Sequence, residues 1–209
     1  MRDKVMSVNE MIVIDHFYNE PEKVRELALN LNYLKVSEGN VAAMQSVDPF
    51  YTHGLVEKIQ DILQKKISFD QEQAAFGKFR IMDKDASARL HIHYDDHAWA
   101  GIVYLSTDEV SRGGTGFYWH KETGYSSPED FGTPSWLERT FDKAAFDELL
   151  VKDSKNLEAW ELYHVVPFKF NRLVLFQGNR YFHGTYKRFG DMPRNARLTQ
   201  NFFFDVSTP

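Results

Sequence analysis

Cysteine is absent from this sequence of 209 residues. Its absence excludes a disulfide-stapled scaffold, a zinc site built from thiolates and a catalytic cysteine nucleophile. A chain that uses no disulfides suits a reducing compartment, so we expect the protein in the cytoplasm.

The sequence also lacks the marks of three other protein classes. Its 25 lysines and arginines are outnumbered by 30 aspartates and glutamates, and a net charge of −5 argues against binding to nucleic acid. No apolar run approaches the ~18 residues of a membrane span. Residues 1–10 lack the apolar region of a secretory signal. We therefore expect neither a nucleic-acid nor a membrane partner.

Hydrophobic periodicity predicts two helices near the beginning of the chain. After Pro21, which suits the first turn of a helix, apolar residues recur at helical spacing and predict a helix over 21–31. A second helix is predicted over 54–67, with apolar residues on one face and charged residues on the other. Residues 11–17 precede both helices and are expected to form a strand.

From residue 74 onward the pattern is that of short strands. The predicted strands are 74–82, 88–94, 99–106, 115–120, 162–170, 171–178, 181–186 and 196–206. Helices followed by about eight strands indicate an α+β fold in which a jelly roll, or double-stranded β-helix, forms the core. We expect one domain over residues 1–209, because the length suits a single core and no linker interrupts it.

Within that domain we expect three kinds of segment. Residues 1–70 supply the first strand and the supporting helices, and residues 71–120 and 161–209 form the jelly-roll core. Residues 121–160 are polar and broken by Gly and Pro, with a helix expected near 136–151. We interpret this stretch as a partly helical insertion that covers a site, because insertions of more than about 12–15 residues are often functional.

A cluster of histidines and aspartates carries the strongest chemical signal. The run from residue 91 to residue 97 reads His-Ile-His-Tyr-Asp-Asp-His. Residues two apart on a strand point to the same face, so His93 and Asp95 are expected to project together. With one further His they would form the 2-His-1-carboxylate triad that holds non-haem Fe(II), and His183 follows a buried-looking strand and a turn.

Two neighbours compete for places in this triad. His91 could replace His93, giving the pair of histidines that a cupin uses, although neither residue 97 nor residue 98 supplies the Glu of a cupin. Asp96 could replace Asp95, but it faces the opposite side if the strand continues. We therefore expect the metal ligands to be His93, Asp95 and His183.

An arginine on the last strand suits an acidic ligand. Arg197 opens the strand that follows His183, and an arginine there could bind a dicarboxylate through its two parallel N–H groups. Arg194 is the alternative, but it follows Met192 and Pro193 in a predicted loop.

The order of these motifs resembles that of the Fe(II)/2-oxoglutarate-dependent oxygenases of the prolyl-hydroxylase type. The motifs that carry the resemblance are His93-x-Asp95, YLS at 104–106, Gly113-Gly114-Thr115, LVLF before His183, and Arg197. The segments at 12–29, 113–121 and 197–204 look closer still to an uncharacterised bacterial subgroup, often encoded near flavin-dependent tryptophan halogenases.

The resemblance implies both cofactors and a reaction. His93, Asp95 and His183 match the iron ligands of the family, and Arg197 and Tyr104 match residues that bind the C5 carboxylate of 2-oxoglutarate. Fe(II), 2-oxoglutarate and O2 would then act together in the hydroxylation of a small molecule or peptide, with succinate and CO2 as coproducts. The carboxylate of Asp95 argues against a halogenase, because iron halogenases of this superfamily carry a small residue there.

Two other functions stay open at this point. One is a cupin-like metalloenzyme that does not use 2-oxoglutarate. The other is a non-catalytic jelly roll that binds a ligand. The arginine favours the oxygenase, because neither alternative needs it. The aromatic run from Phe117 to His120, with Trp119, could line the mouth of a substrate site or simply pack at the end of a strand.

Overall fold

The computed structural model describes residues 11–36, 43–70, 75–85, 92–127, 148 and 152–207. These residues include two complete α-helices, eleven strands and one short 3-10 helix at Leu157–Ala159. The helices are Pro21–Leu29 (α1) and His53–Leu63 (α2). The strands are Met11–Ile14 (β1), Tyr33–Val36 (β2), Ala43–Ser46 (β3), Ile67–Ser68 (β4), Lys78–Met82 (β5), Trp99–Tyr104 (β6), Gly114–His120 (β7), Trp160–Pro167 (β8), Leu173–Phe176 (β9), His183–Tyr186 (β10) and Arg197–Val206 (β11).

Both predicted helices are present, and each ends a few residues before its predicted limit. Pro21 opens α1, where the missing N–H costs nothing because the first turn has no partner for it. The Thr52 hydroxyl caps α2 by accepting a hydrogen bond from the Leu55 N–H at 3.2 Å. Among the described residues no helix is both long enough and apolar enough to cross a membrane.

The larger sheet is antiparallel and is organised around β11. Its order is β1-β9-β6-β11-β5-β3-β2, and β4 pairs with the far end of β11. One row across this sheet is central to the site. Thr199 of β11 pairs with Tyr104 of β6 on one side and with Arg80 of β5 on the other, and Arg80 pairs in turn with Gln45 of β3. Paired residues share a face, so these four side chains lie on one side of the sheet.

The smaller sheet has the order β10-β7-β8. A register shift between Phe117 and Tyr118 places an irregularity in the pairing of β7 with β8. His93 pairs with His183 of β10 through an isolated bridge, so the segment before β6 lies beside the outer edge of β10. The backbone at His93 therefore extends the smaller sheet by a single bridge, at the position of the histidine cluster.

The hydrophobic core has two main layers on opposite faces of the larger sheet. Leu198, Phe202 and Phe204 of β11 pack toward α1 and α2, in a cluster that includes Ala28 and Ile59 of the two helices. The second layer lies between the two sheets and combines residues of β6 and β9 with residues of β7 and β8. The buried residues of this layer are Ala100, Tyr104, Phe117, Val166, Phe168, Val174, Phe176, Tyr181 and Phe189. The fold is thus an antiparallel β-sandwich with two helices on one outer face.

The structure departs from the sequence prediction in two places, and two predicted segments are not tested. The strands β2 and β3, which extend the larger sheet, were not predicted, because their short runs show little alternation. The strand predicted over 88–94 is not regular where it is described, since residues 92–94 contribute only the bridge at His93. The rest of that strand, residues 88–91, and nearly all of the helix predicted near 136–151 lie outside the described residues.

Candidate metal centre

The two histidines of the predicted triad are held side by side by their backbones. The His93 N–H donates to the His183 carbonyl oxygen at 2.9 Å, and the His183 N–H donates to the His93 carbonyl oxygen at 2.8 Å. The centroids of the two imidazole rings are 4.5 Å apart. The bridge therefore brings together residues 90 positions apart in the chain, and both side chains point to the same space.

Asp95 completes the cluster from the same loop as His93. Its backbone N–H donates to the carbonyl oxygen of Gly178 at 3.0 Å, which fixes the loop against the turn after β9. Oδ1 lies 3.6 Å from His93 Nε2, and Oδ2 lies 3.3 Å from His183 Nε2. One ligand atom from each residue falls within 4.8 Å of the other two. This arrangement brings two imidazole nitrogens and one carboxylate oxygen to one point, as a metal ion requires.

A backbone hydrogen bond sets the tautomer of His183. Nδ1 of His183 lies 2.8 Å from the carbonyl oxygen of Tyr181. A carbonyl oxygen only accepts, so Nδ1 carries a hydrogen and donates it, and Nε2 is the ring nitrogen that faces Asp95 and is available to a metal ion. Metal-binding histidines are oriented in this way by a partner on the opposite ring nitrogen.

The electrostatics of Asp95 suit a metal ligand. Burial by itself raises the pKa of this carboxyl group, but the charge and hydrogen bonds of His183, and then of His93, outweigh burial and hold the pKa below its usual range. Asp95 is therefore ionised at neutral pH. Its Oδ2 is buried without a well-directed hydrogen bond, which is costly unless a cation or another donor satisfies it.

Arg197 is a buried cation that no acidic side chain of the described residues neutralises. The residue is 6% exposed, and its Nε has no hydrogen-bond partner. Its guanidinium carbon lies 5.8 Å from the ring centroids of Tyr104 and of Phe168. Burial lowers its pKa, and Tyr104 opposes that effect. A buried guanidinium with unused donors is the environment in which a ligand carboxylate is stabilised.

Two further polar residues follow Arg197 on the same face of β11. Thr199 Oγ1 and Asn201 Nδ2 are buried without hydrogen-bond partners, like Arg197 Nε. Residues two apart on a strand share a face, so the three form one polar stripe directed between the sheets. The sequence analysis named only Arg197. The period of two along the run RLTQN could have revealed the other two, because Arg197, Thr199 and Asn201 share one face while Leu198 and Gln200 lie on the other.

Tyr104 lies beside this stripe and is fully buried. Its hydroxyl is 2.7 Å from Thr115 Oγ1 and donates a longer bond, 3.4 Å, to the Val166 carbonyl oxygen. Its ring stacks on Phe168 with centroids 4.1 Å apart. Burial raises its pKa, although Arg197 and Thr115 act in the opposite direction. The phenol is therefore protonated at neutral pH, and when Thr115 donates to it, its own hydrogen goes to the Val166 carbonyl oxygen or, in place of that long bond, to a ligand.

The residues that compete with these assignments lie elsewhere. Arg194 is exposed, and its guanidinium pairs with both carboxylate oxygens of Glu26 at 3.0 and 3.1 Å. Asp96 is exposed, and His97 pairs with Asp205 at 3.1 Å. His91 lies outside the described residues.

The two aromatic residues at the end of β7 have different environments. His120 is buried and pairs with buried Asp153 at 3.2 Å, and its ring meets Trp160 edge to face. Trp119 is partly exposed and stacks on Tyr163 with ring centroids 4.9 Å apart. His120 thus packs inside the protein, while the indole of Trp119 retains exposed surface.

The structure is similar to solved structures of low sequence identity, among them a prolyl hydroxylase and HygX. A prolyl hydroxylase from Trichoplax adhaerens, in complex with a peptide fragment of the hypoxia inducible factor oxygen degradation domain, is 11% identical with a TM-score of 0.53. That match covers 94% of this chain and 83% of the hydroxylase. HygX from Streptomyces hygroscopicus, with nickel, 2-oxoglutarate and hygromycin B bound, is 13% identical with a TM-score of 0.52, covering 93% of this chain and 82% of HygX. At such identities the likeness shows a shared fold.

Sequence comparison identifies a family in addition to the fold. No protein of curated function matches the chain. One family model, described as a family of unknown function, matches residues 3–204, which is most of the chain. The protein therefore belongs to the family of unknown function DUF6445.

Proposed function

We propose that the protein is a non-haem Fe(II) dioxygenase that couples the oxidative decarboxylation of 2-oxoglutarate to the hydroxylation of a substrate. In this proposal His93, Asp95 and His183 hold the iron, and Arg197 binds the C5 carboxylate of 2-oxoglutarate with help from Tyr104. The observation that carries the proposal is the combination of three converging ligand atoms with a buried arginine, on the inner face of the same sandwich, that forms no ion pair with the described residues.

The strand order supports a double-stranded β-helix. The larger sheet contains the run β5-β11-β6-β9, and the smaller one contains β10-β7-β8 with the His93 bridge at its edge. The chain passes from β6 in the larger sheet to the paired strands β7 and β8 in the smaller one, then back to β9, across to β10 and back to β11, as it does when it winds a jelly roll. Such a fold explains why the ligands come from opposite ends of the core sequence.

The solved neighbours support the choice of cofactors. HygX has been solved with nickel and 2-oxoglutarate bound, and the other neighbour is a prolyl hydroxylase with a peptide fragment. In this chain the donor set of two imidazoles and one carboxylate suits Fe(II) and leaves positions for other ligands. Substrates of both kinds, a small molecule or a peptide, are compatible with the proposal. The kinship with bacterial proteins encoded near tryptophan halogenases remains a prediction.

Each residue has a separate task in this reaction. Iron and 2-oxoglutarate supply, when bound, the activation of O2 that oxidises a C–H bond. In this proposal Arg197 neutralises the distal carboxylate of the cosubstrate, and Thr199 Oγ1 and the Tyr104 hydroxyl, which share a row of the larger sheet, donate hydrogen bonds to the same group. Phe176 meets the His183 ring edge to face at a centroid distance of 4.7 Å, and such apolar packing keeps water from the ligand.

The buried arginine also separates the oxygenase from the two alternatives. A cupin-like metalloenzyme or a ligand-binding jelly roll without iron could retain the histidines or the fold. Neither needs a guanidinium held without a counter-ion between the sheets. We therefore favour the 2-oxoglutarate-dependent reaction.

An anaerobic titration tests the proposal directly. The protein is loaded with Fe(II), and 2-oxoglutarate is added while the visible metal-to-ligand charge-transfer band is recorded. We expect about one iron per chain, a band that saturates, and succinate when air is admitted. Iron binding without a band at millimolar 2-oxoglutarate would favour the cupin-like function. Failure to bind any divalent metal would favour the non-catalytic one.

A further inference from the structure

A second arginine faces the space between the sheets. Arg80 of β5 lies in the same row as Thr199 and Tyr104, and therefore on the inner face of the larger sheet. Its Nε donates to the Gln45 side-chain oxygen at 2.9 Å, which leaves the two terminal nitrogens of the guanidinium for other partners. Arg80 forms no ion pair with an acidic side chain in the part of the chain that the structure describes.

The side chain of Arg80 extends along the sheet toward the metal ligands. Its guanidinium carbon lies 5.3 Å from the ring centroid of Phe203, four positions beyond the Thr199 with which Arg80 pairs. Phe203 pairs with Ala100, and the neighbouring strand places Phe176 opposite Ala100. Phe176 contacts the His183 ring. The guanidinium is therefore directed to the metal end of the inner face, away from the position of Arg197.

We propose that Arg80 recognises a carboxylate group of the substrate, as a positioning contact at the metal end of the pocket. The inference rests on the proposed function and names the substrate class that this site would accept: a carboxylic acid. Gln45 acts as a positioning residue, because its hydrogen bond to Nε orients the guanidinium with its paired terminal donors toward the pocket.

The charges of the pocket favour a group with a single negative charge. Burial lowers the pKa of Arg80, and of the two charged neighbours Asp95 raises it while Arg197 lowers it further, so the Arg80 guanidinium is subject to both charges. With Fe(II), Asp95 and the two arginines the formal charge is about three positive, and doubly charged 2-oxoglutarate leaves about one positive. A substrate carboxylate would balance the remainder. Lys78, two residues before Arg80, shares its face but is partly exposed to water.

The chemistry of the two arginines distinguishes their ligands. Arg197 is 6% exposed and lies against the rings of Tyr104 and Phe168, a closed environment that suits a cosubstrate held in one position. Arg80 retains more accessible surface, as expected for a side chain that borders the open part of the pocket.

Matched pairs of acids and amides test this inference without turnover. The Ni(II)-loaded protein, saturated with 2-oxoglutarate, is titrated by calorimetry with acetate, benzoate, phenylacetate and N-acetyltryptophan, and with the amide of each. A short peptide with a free or an amidated C-terminus distinguishes a peptide carboxylate from that of a small acid. Inorganic phosphate is the comparison for a doubly charged anion. We expect at least one acid to bind about 10- to 150-fold more tightly than its amide.

Substitutions of Arg80 connect that preference to the guanidinium. Arg80→Gln should remove the preference for the acid, and Arg80→Lys, which keeps the charge but loses the planar fork, should retain part of it. Arg112→Gln is the matched control, because Arg112 is exposed on the loop before β7 and donates only to backbone carbonyls of its own loop. If Arg80→Gln does not fold, Arg80→Lys tests the inference. An unchanged preference of the lysine variant for the acid over its amide would show that the paired N–H groups of Arg80 do not bind the carboxylate.

The outcomes separate this inference from the proposed function. Binding of 2-oxoglutarate, followed by the charge-transfer band of the Fe(II) protein, should be unchanged in Arg80→Gln. A loss of that band in the variant, with acid binding retained, would assign Arg80 to the cosubstrate and overturn the inference while the oxygenase stands. Equal affinity of the wild type for every acid and its amide would also overturn it. The absence of the band in the wild type would instead contradict the proposed function.

Discussion

The carboxylate of Asp95 lies directly against the α-carbon of Gly178, in the turn after β9. A β-carbon built on Gly178 would overlap Asp95 Oδ2 and would lie 3.0 Å from both Asp95 Cβ and Cγ. The same two residues are joined by the Asp95 N–H bond to the Gly178 carbonyl oxygen. Glycine at 178 is therefore required by space, since its absence of a side chain allows the carboxylate to face His183.

The first prediction follows from that contact. Gly178→Ala should displace the Asp95 carboxylate and weaken Fe(II) binding about 10- to 100-fold, the range seen when groups that orient metal ligands are lost. Metal affinity can be measured by competition with a chromogenic chelator. Gly54→Ala is the matched control, because a β-carbon at Gly54 would meet nothing within 4 Å. Equal metal affinity in both variants would contradict the role of Gly178.

The second prediction concerns the ligands themselves. His93→Ala and His183→Ala should each abolish binding of Fe(II), because two remaining ligand atoms cannot hold the ion at a protein-imposed geometry. Mn(II), Co(II) or Ni(II) should bind to the wild type in place of iron. His53→Ala provides the control, since the His53 side chain, at the start of α2, is 87% exposed and pairs with Glu57 of the same helix. Wild-type metal content in both of the first two variants would rule out the triad.

The third prediction concerns the cosubstrate. Arg197→Ala should weaken 2-oxoglutarate binding about 10- to 150-fold, because a charge-assisted hydrogen bond contributes roughly 1.5–3 kcal/mol. The affinity of Arg197→Lys for 2-oxoglutarate should lie between those of the wild type and Arg197→Ala. Iron binding should be nearly unchanged in both variants. The charge-transfer titration supplies the measurement. Arg194→Ala is the control, because Arg194 pairs with Glu26 at the surface. A large loss in Arg194→Ala with no loss in Arg197→Ala would refute the assignment.

The fourth prediction concerns the buried pair of His120 and Asp153. The pair joins the end of β7 to the segment before the 3-10 helix, and the Trp160 indole N–H donates to the Asp153 carbonyl oxygen at 2.9 Å. His120→Ala should leave the Asp153 carboxylate without this partner and lower the free energy of unfolding by about 1–3 kcal/mol. Urea denaturation measures this change. Metal affinity, measured alongside, should stay at the wild-type level if His120 is structural.

The fifth prediction concerns pH and the edge of the larger sheet. Asp15, which follows β1, accepts hydrogen bonds from Arg172 at 2.6 and 3.1 Å and from Lys169 at 2.7 Å. The bonds from Arg172, then from Lys169, hold the pKa of Asp15 below its usual value of 3.8. A depressed pKa contributes stability that is present above the unfolded-state pKa and is lost as the pH falls below it.

The measurement is urea denaturation between about pH 5 and pH 2. The wild type should lose stability as the pH falls through this window, and Asp15→Asn should show a smaller loss because it has no carboxylate to protonate. Asp61→Asn, at an exposed position of α2, is the control and should follow the wild type. Parallel curves for the wild type and Asp15→Asn would show that the ion pair does not stabilise the fold.

Much of the architecture and the central residues of the candidate site could be read from local patterns. Helical spacing after Pro21 and the apolar face of 54–67 are properties of consecutive residues, and both helices occur. The run at 91–97, the late histidine and the arginine at the start of the last strand likewise needed only their spacing and order. The structure brings His93, Asp95 and His183 within 4.8 Å of one another.

Other features depended on contacts that no local pattern encodes. The irregular backbone at 92–94 is set by its bridge to residue 183, so the alternation of a regular strand was the wrong guide there. The short strands β2 and β3 exist because β5 offers them an edge, and their four-residue runs carry little signal of their own.

The sequence by itself therefore determined the types and order of the chemical groups. It could not determine which of them share a face, because strand pairing depends on hydrogen bonds between residues far apart in the chain. Arg80 meets Gln45 and Thr199 only through the neighbouring strands β3 and β11. Only the tertiary structure decided that this arginine, as well as Arg197, lies on the inner face. The alternation of residues along a strand defines two faces, but it does not say which of the two faces the second sheet covers.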